Sequence, residues 1–116
     1  MDTHNKMVIA IIQETDYNTT VDKLNSSGFF VTKLSSSGGF LRKKNSTILI
    51  GVEESKVQEV LDIIKTYAGR RIEKVYTIVT AANSSLYTGI ESSVPVDTEV
   101  GGATVFVMDI DNMAKY

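Results

Sequence analysis

Apolar residues in this chain follow two rhythms, and their alternation marks out the elements. Met7-Val8-Ile9-Ala10-Ile11-Ile12 is an unbroken apolar run rich in β-branched side chains, the pattern of a strand that is covered on both faces or central in its sheet. Tyr17, Val21 and Leu24 then recur at helical spacing behind Thr15 and Asp16, either of which can cap the helix, and Gly28 supplies a left-handed stop. Phe29 to Leu34 resumes strand composition and breaks off at Ser35-Ser36-Ser37-Gly38-Gly39, the sign of a loop or hairpin end. Thr47-Ile48-Leu49-Ile50-Gly51-Val52 is the next apolar strand, so Phe29 to Val52 reads as two strands around a glycine-rich connection. Val57, Val60, Leu61 and Ile64 share one helical face, with Glu53 and Glu54 near the start, Lys65 near the end and Gly69 closing the turn.

Ile72 to Val79 alternates as a strand. Ala81 to Thr98 is polar, holds the single proline, Pro95, and has no helical period, which predicts a long surface loop. Ala103 to Met108 is the last strand, entered through Gly101-Gly102 and followed by Asp109-Ile110-Asp111. The order is βαββαβ with one late insertion, in a single domain over residues 1–116. Two strand-helix-strand halves with right-handed crossovers make one antiparallel sheet with both helices on one face. The predicted class is therefore α+β, a ferredoxin-like plait with long loops after its second and fourth strands. Its uncovered sheet face must be polar or find a partner, and Ile and Val at alternate strand positions point to a partner. A trimer that buries the open faces is one solution.

Composition narrows the function. At 116 residues, 42% hydrophobic and 22% charged, the chain has material for one core, and self-association would enlarge the area it buries. The absence of cysteine removes disulfides, thiolate metal sites and a cysteine nucleophile, and fits a reducing compartment. The polar start, Met1 to Lys6, and the short apolar run after it carry no signal sequence or membrane span, so the expected location is the cytoplasm. A formal charge of -2 offers no broadly basic surface for a nucleic-acid polymer, and any anion site must be a local cluster.

Catalytic chemistry is poorly supplied. The only histidine, His4, sits in the polar tail, away from any element that could build a metal site or a serine triad around it. Glu53, Glu54, Glu59 and Asp62 lie on or near a helix, where capping and solvation account for them, and Asp109 and Asp111 flank a strand end. Without a placed general base or nucleophile the chain reads as a binder and not as an enzyme. Lys33, Arg42, Lys43 and Lys44 surround Gly38-Gly39, a combination of cations and unhindered backbone N–H groups that suits phosphate oxygens. No P-loop and no Rossmann glycine triplet is present. An exposed hairpin tip with solubilising lysines explains the same residues, but Phe40-Leu41 places two large apolar groups in a polar loop, where a nucleotide base would cover them.

The string Thr32-Lys33-Leu34-Ser35-Ser36-Ser37-Gly38-Gly39-Phe40-Leu41-Arg42, then Asn45-Ser46-Thr47, and later Glu99-Val100-Gly101-Gly102-Ala103-Thr104-Val105-Phe106-Val107, resembles the PII-like cyclic di-AMP receptors of Firmicutes. The resemblance follows the element order over nearly the whole chain and is weakest from Thr77 to Thr98. It implies a homotrimer with one cyclic dinucleotide in each cleft between subunits, no catalysis, no cofactor or metal, and signalling through a protein partner that it does not identify. By matching position it implies that Thr32, Gly39, Phe40, Leu41, Asn45 and Gly51 line one side of the ligand. Gly101, Gly102, Ala103 and Phe106 come from the last strand and its approach, with Phe106 facing across the subunit boundary. Three departures stand out: Phe30 occupies the position of a family arginine, Asn83-Ser84-Ser85 replaces a glycine pair, and the chain ends Lys115-Tyr116. The first opens two alternatives, a divergent relative that binds ATP, ADP or another anion, and an interaction module with a vestigial pocket.

Overall fold

A computed structural model describes residues 5–34, 45–79 and 92–116. Its elements are β1 (Lys6–Gln13), α1 (Glu14–Ser26), β2 (Thr32–Leu34), β3 (Asn45–Val52), a 3-10 turn (Glu54–Lys56), α2 (Val57–Ala68), β4 (Arg71–Val79), β5 (Ser92–Val100) and β6 (Ala103–Asp109). β2, β3, β1 and β6 form one sheet in that spatial order, antiparallel throughout. With α1 and α2 as crossovers on one face, this is the ferredoxin-like plait. Its fourth strand is β6, and β4 pairs with β5 in a separate two-stranded sheet. The chain accordingly groups into two compact units, Met1–Arg70 with Gly101–Tyr116, and Arg71–Val100.

The strand period of two divides the sheet. Val8, Ala10 and Ile12 of β1 and Ile48, Ile50 and Val52 of β3 are buried against Leu24 of α1 and Val60 and Ile64 of α2. Each large side chain so buried contributes about 1.5–3 kcal/mol. The alternate residues of the same strands lie on the other face, which no described helix covers.

The polar stretch from Ala81 to Thr98 is not all loop, because Ser92 to Thr98 belongs to β5. Pro95 pairs with Tyr76 there, which is tolerable because in a two-stranded sheet a proline can turn its missing donor to the free edge. The second strand is shorter than its composition suggests and starts at Thr32. Phe29 instead completes the end of α1. Its N–H donates to the Leu24 carbonyl at 2.9 Å and the Gly28 N–H donates to that of Asn25 at 3.0 Å, with Gly28 at φ 92. This is a Schellman closure, and the Phe29 ring seals it by entering the core. Neither Thr15 nor Asp16 caps α1: the helix begins at Glu14, after Gln13.

Outside the core, the start of β1 is tied to the end of β6. Lys6 Nζ pairs with Asp109 Oδ1, the Ile110 N–H donates to the Asn5 carbonyl at 2.9 Å, and the Glu54 N–H donates to Asn5 Oδ1 at 2.9 Å. The Asp109 hydrogen bond raises the Lys6 pKa above the ordinary lysine value. A raised lysine stabilises the fold at all pH values below that of the free side chain and ceases to do so only as pH climbs through the folded value, so this clasp is intact at neutral pH.

α1 buries Asp16 and Thr20 together with Leu24, and Thr20 Oγ1 has no hydrogen-bond partner among the described residues. An unsatisfied buried hydroxyl carries a desolvation cost of about 1–3 kcal/mol. Thr20→Val is therefore expected to raise the free energy of unfolding by about 1 kcal/mol in chemical denaturation, and a loss of stability would show that the hydroxyl is in use.

Candidate functional site

The plait gathers four of the predicted site residues on its uncovered face. Since β3 buries Ser46, Ile48, Ile50 and Val52, Asn45, Thr47, Leu49 and Gly51 point the other way. In the cross-strand register, Thr32 stands opposite Leu49, Leu49 opposite Ile9, and Ile9 opposite Phe106. Thr32 and Phe106 therefore end one row of the open face, about 14 Å apart at the usual strand spacing. Asn45 lies towards one end of the face, paired with Gln13, and Gly51 towards the other, paired with Met7. Ala103 turns the opposite way, paired with Ile12 and packed against the core. Gly39, Phe40 and Leu41, with Arg42, Lys43 and Lys44, lie outside the described residues, as do His4 and Asn83-Ser84-Ser85.

Exposed apolar groups accumulate on this face. Phe106 is 51% and Met108 52% exposed. Phe30 is 86% exposed, while its neighbours Phe29 and Val31 pack on the core, so Phe30 projects on the same side as Thr32. Phe30 thus offers an exposed aromatic ring where the resemblance implies an arginine. Lys33 does not replace that arginine. It follows Thr32 on the opposite side of β2, and its Nζ lies 4.4 Å from the centroid of the Tyr17 ring, a cation–π contact that holds the charge on the helix face.

Gly101 and Gly102 form the turn into β6 at φ 81 and 124, conformations that favour glycine. The turn is fastened twice: Gln13 Nε2 donates to the Gly101 carbonyl at 2.8 Å, and the Gly102 N–H donates to the Ala68 carbonyl at 2.9 Å. In this arrangement the Gly102 N–H is engaged within the protein and not free for a phosphate. Gly102 and Ala103 also line a groove of about 620 Å³ between β6 and the end of α2, with Leu61 and Ile64 as apolar walls and Lys65 and Arg70 as cations. Its mixed lining suits an apolar body that carries negative charge. Sequence reasoning missed Gln13. The available signal was a polar residue that ends an apolar strand without being a favoured helix cap.

Among the described residues no group of three or more His, Asp or Glu side chains is placed to hold a metal ion. Asp109, half of the carboxylate pair noted in the sequence, is bonded to Lys6. No described helix is long and apolar enough to cross a membrane.

A family model described as cyclic-di-AMP receptor matches residues 5–116. A crystal structure of a functionally unknown protein from Pediococcus pentosaceus ATCC 25745 is 36% identical, with a TM-score of 0.73, over 99% of this chain and 100% of the other. A structure of CPII bound to ADP, AMP and acetate, from Thiomonas intermedia K12, is 14% identical with a TM-score of 0.43, over 93% and 89% of the two chains.

At Gly102 a Cβ would meet nothing within 4 Å, so only the backbone conformation opposes a side chain there. Gly102→Ala is expected to lower stability by about 1–3 kcal/mol in a denaturant titration. An unchanged midpoint would mean that the turn relaxes to another conformation without cost.

Proposed function

The chain belongs to the cyclic-di-AMP receptor family, and from that premise we propose that it is a non-enzymatic cytoplasmic receptor that binds cyclic di-AMP in the clefts between subunits of a homotrimer. One observation carries the reading: Thr32, Asn45, Gly51 and Phe106 share the face of the sheet that no described helix covers. Thr32 and Asn45 offer donors and acceptors to a base edge, and Phe106 offers a ring on which a base can stack.

The distance between the two ends of the row supports a site built from neighbouring copies. Thr32 lies on the β2 edge of the sheet and Phe106 on the β6 edge, too far apart for both to touch one base within a single subunit. In a closed ring, where the β2 edge of each copy approaches the β6 edge of the next, they come together. Such a ring also covers Met7, Ile9, Leu49 and Met108, whose exposure is otherwise unfavourable. Gly39, Phe40 and Leu41 complete the site from the segment that ends at Asn45. Binding there changes the arrangement of the segments 35–44 and 80–91, which present the signal to a protein partner, because a ligand that contacts one arrangement better shifts the population towards it.

A second reading keeps the fold and changes the ligand, to ATP, ADP or another anion, and it is favoured by Phe30 in place of arginine. Calorimetric titration with cyclic di-AMP, ATP and cyclic di-GMP separates the two. Heat with cyclic di-AMP supports the first, binding of the mononucleotide alone supports the second, and no binding of any of the three leaves an interaction module. Light scattering that gives a monomer at micromolar concentration would remove the intersubunit cleft. If cyclic di-AMP binds, Phe40→Ala weakens it, and Phe30→Arg, which adds one charge-assisted hydrogen bond, tightens it roughly 10- to 100-fold.

A further inference from the structure

We infer that Gln13 is the positioning residue that locks the peptide between Gly101 and Gly102 and so fixes the entry of the strand that carries Phe106, an assignment whose part in binding rests on the cyclic di-AMP reading of the site. The carbonyl of Gly101 and the N–H of Gly102 belong to one rigid planar unit. That unit is held at both ends, its oxygen by Gln13 Nε2 at 2.8 Å and its N–H by the Ala68 carbonyl at 2.9 Å. A peptide between two glycines meets little steric resistance to rotation, since neither residue has a Cβ to oppose it. The two hydrogen bonds therefore decide its orientation, and only the one from Gln13 comes from a side chain.

Gln13 is also placed to join the two arms of the site. Its main chain pairs with Asn45 of β3, itself one of the proposed site residues. Its side chain reaches the segment that leads through Ala103 to Phe106. Although Gln13 occupies the N-cap position of α1, its side chain makes no capping bond, so the amide is not held by the helix. The bond to Gly101 is partly buried and is shielded from competition with water more than an exposed one. Loss of the donor leaves the Gly101 carbonyl with one protein partner fewer and the peptide free to turn.

Gln13→Met keeps the length of the side chain and removes the donor, and Gln13→Glu puts an acceptor against the carbonyl oxygen. Amide hydrogen exchange on the ligand-free full-length protein reads the lock directly. Gly102 is expected to exchange about tenfold faster in both variants, the equivalent of one ordinary hydrogen bond, while the amides of Ile48 and Ile50 change by less than twofold. Cyclic di-AMP is then expected to bind roughly tenfold more weakly to each variant, with Gln13→Glu no better than Gln13→Met. Unchanged Gly102 exchange, or equal acceleration at Ile48 and Ile50, overturns the lock. Faster Gly102 exchange with undiminished affinity overturns its part in binding. If the unsubstituted protein does not bind cyclic di-AMP, the ligand reading fails and the binding role falls with it, whereas the exchange result still decides whether Gln13 holds the peptide.

Discussion

Everything in the plait depends on the double pairing of β1. This strand hydrogen-bonds to β3 along one side and to β6 along the other, and the same residues set both registers: Ile9 faces Leu49 and Phe106, and Ile12 faces Ser46 and Ala103. With a side-chain period of two, a slip of one residue in either ladder would send Val8, Ala10 and Ile12 to the open face and bring Ile9 and Ile11 into the core. The burial of one face thus fixes which residues the other presents. Asn45, Gly51 and Phe106 share the open face because Ile48, Ile50 and the residues opposite them are buried.

This dependence explains what was legible from residues alone. The strands at Met7 and Thr47 and the helix from Val57 announce themselves through large apolar groups at regular spacing, and the last strand follows from its glycine entry. α1 was harder, because two of its buried positions are Asp16 and Thr20, which no hydrophobic period reveals. β5 was hidden for a related reason. It is rich in Ser, Pro, Asp and Thr and belongs to a two-stranded sheet, so it is specified by its pairing with β4 more than by its own composition. Long-range pairing of this kind leaves little trace in a local window.

The arrangement of the proposed site positions was not legible. Glycines beside aromatics pointed to a ligand, and the family pattern named the positions, but no sequence spacing says that Ala103 faces the core while Phe106, three residues on, faces outward beside Ile9. Nor does it say that Lys33 lies over Tyr17 and is spent on the helix face. Gln13 was invisible because its partner, the Gly101 carbonyl, is a backbone group far along the chain that carries no side-chain signature.

The hydrogen bond from Gly102 to Ala68 closes the plait at 2.9 Å, so the residues between leave and re-enter the fold at neighbouring points. Such a stem makes the insert a replaceable cassette. Because the entropy of closing a loop grows only slowly with its length, the segment between Arg71 and Val100 can be lengthened, shortened or exchanged for a reporter while the four-stranded sheet keeps its own core. Variation between Arg71 and Val100 is thereby separated from variation in the core, and the two can change independently.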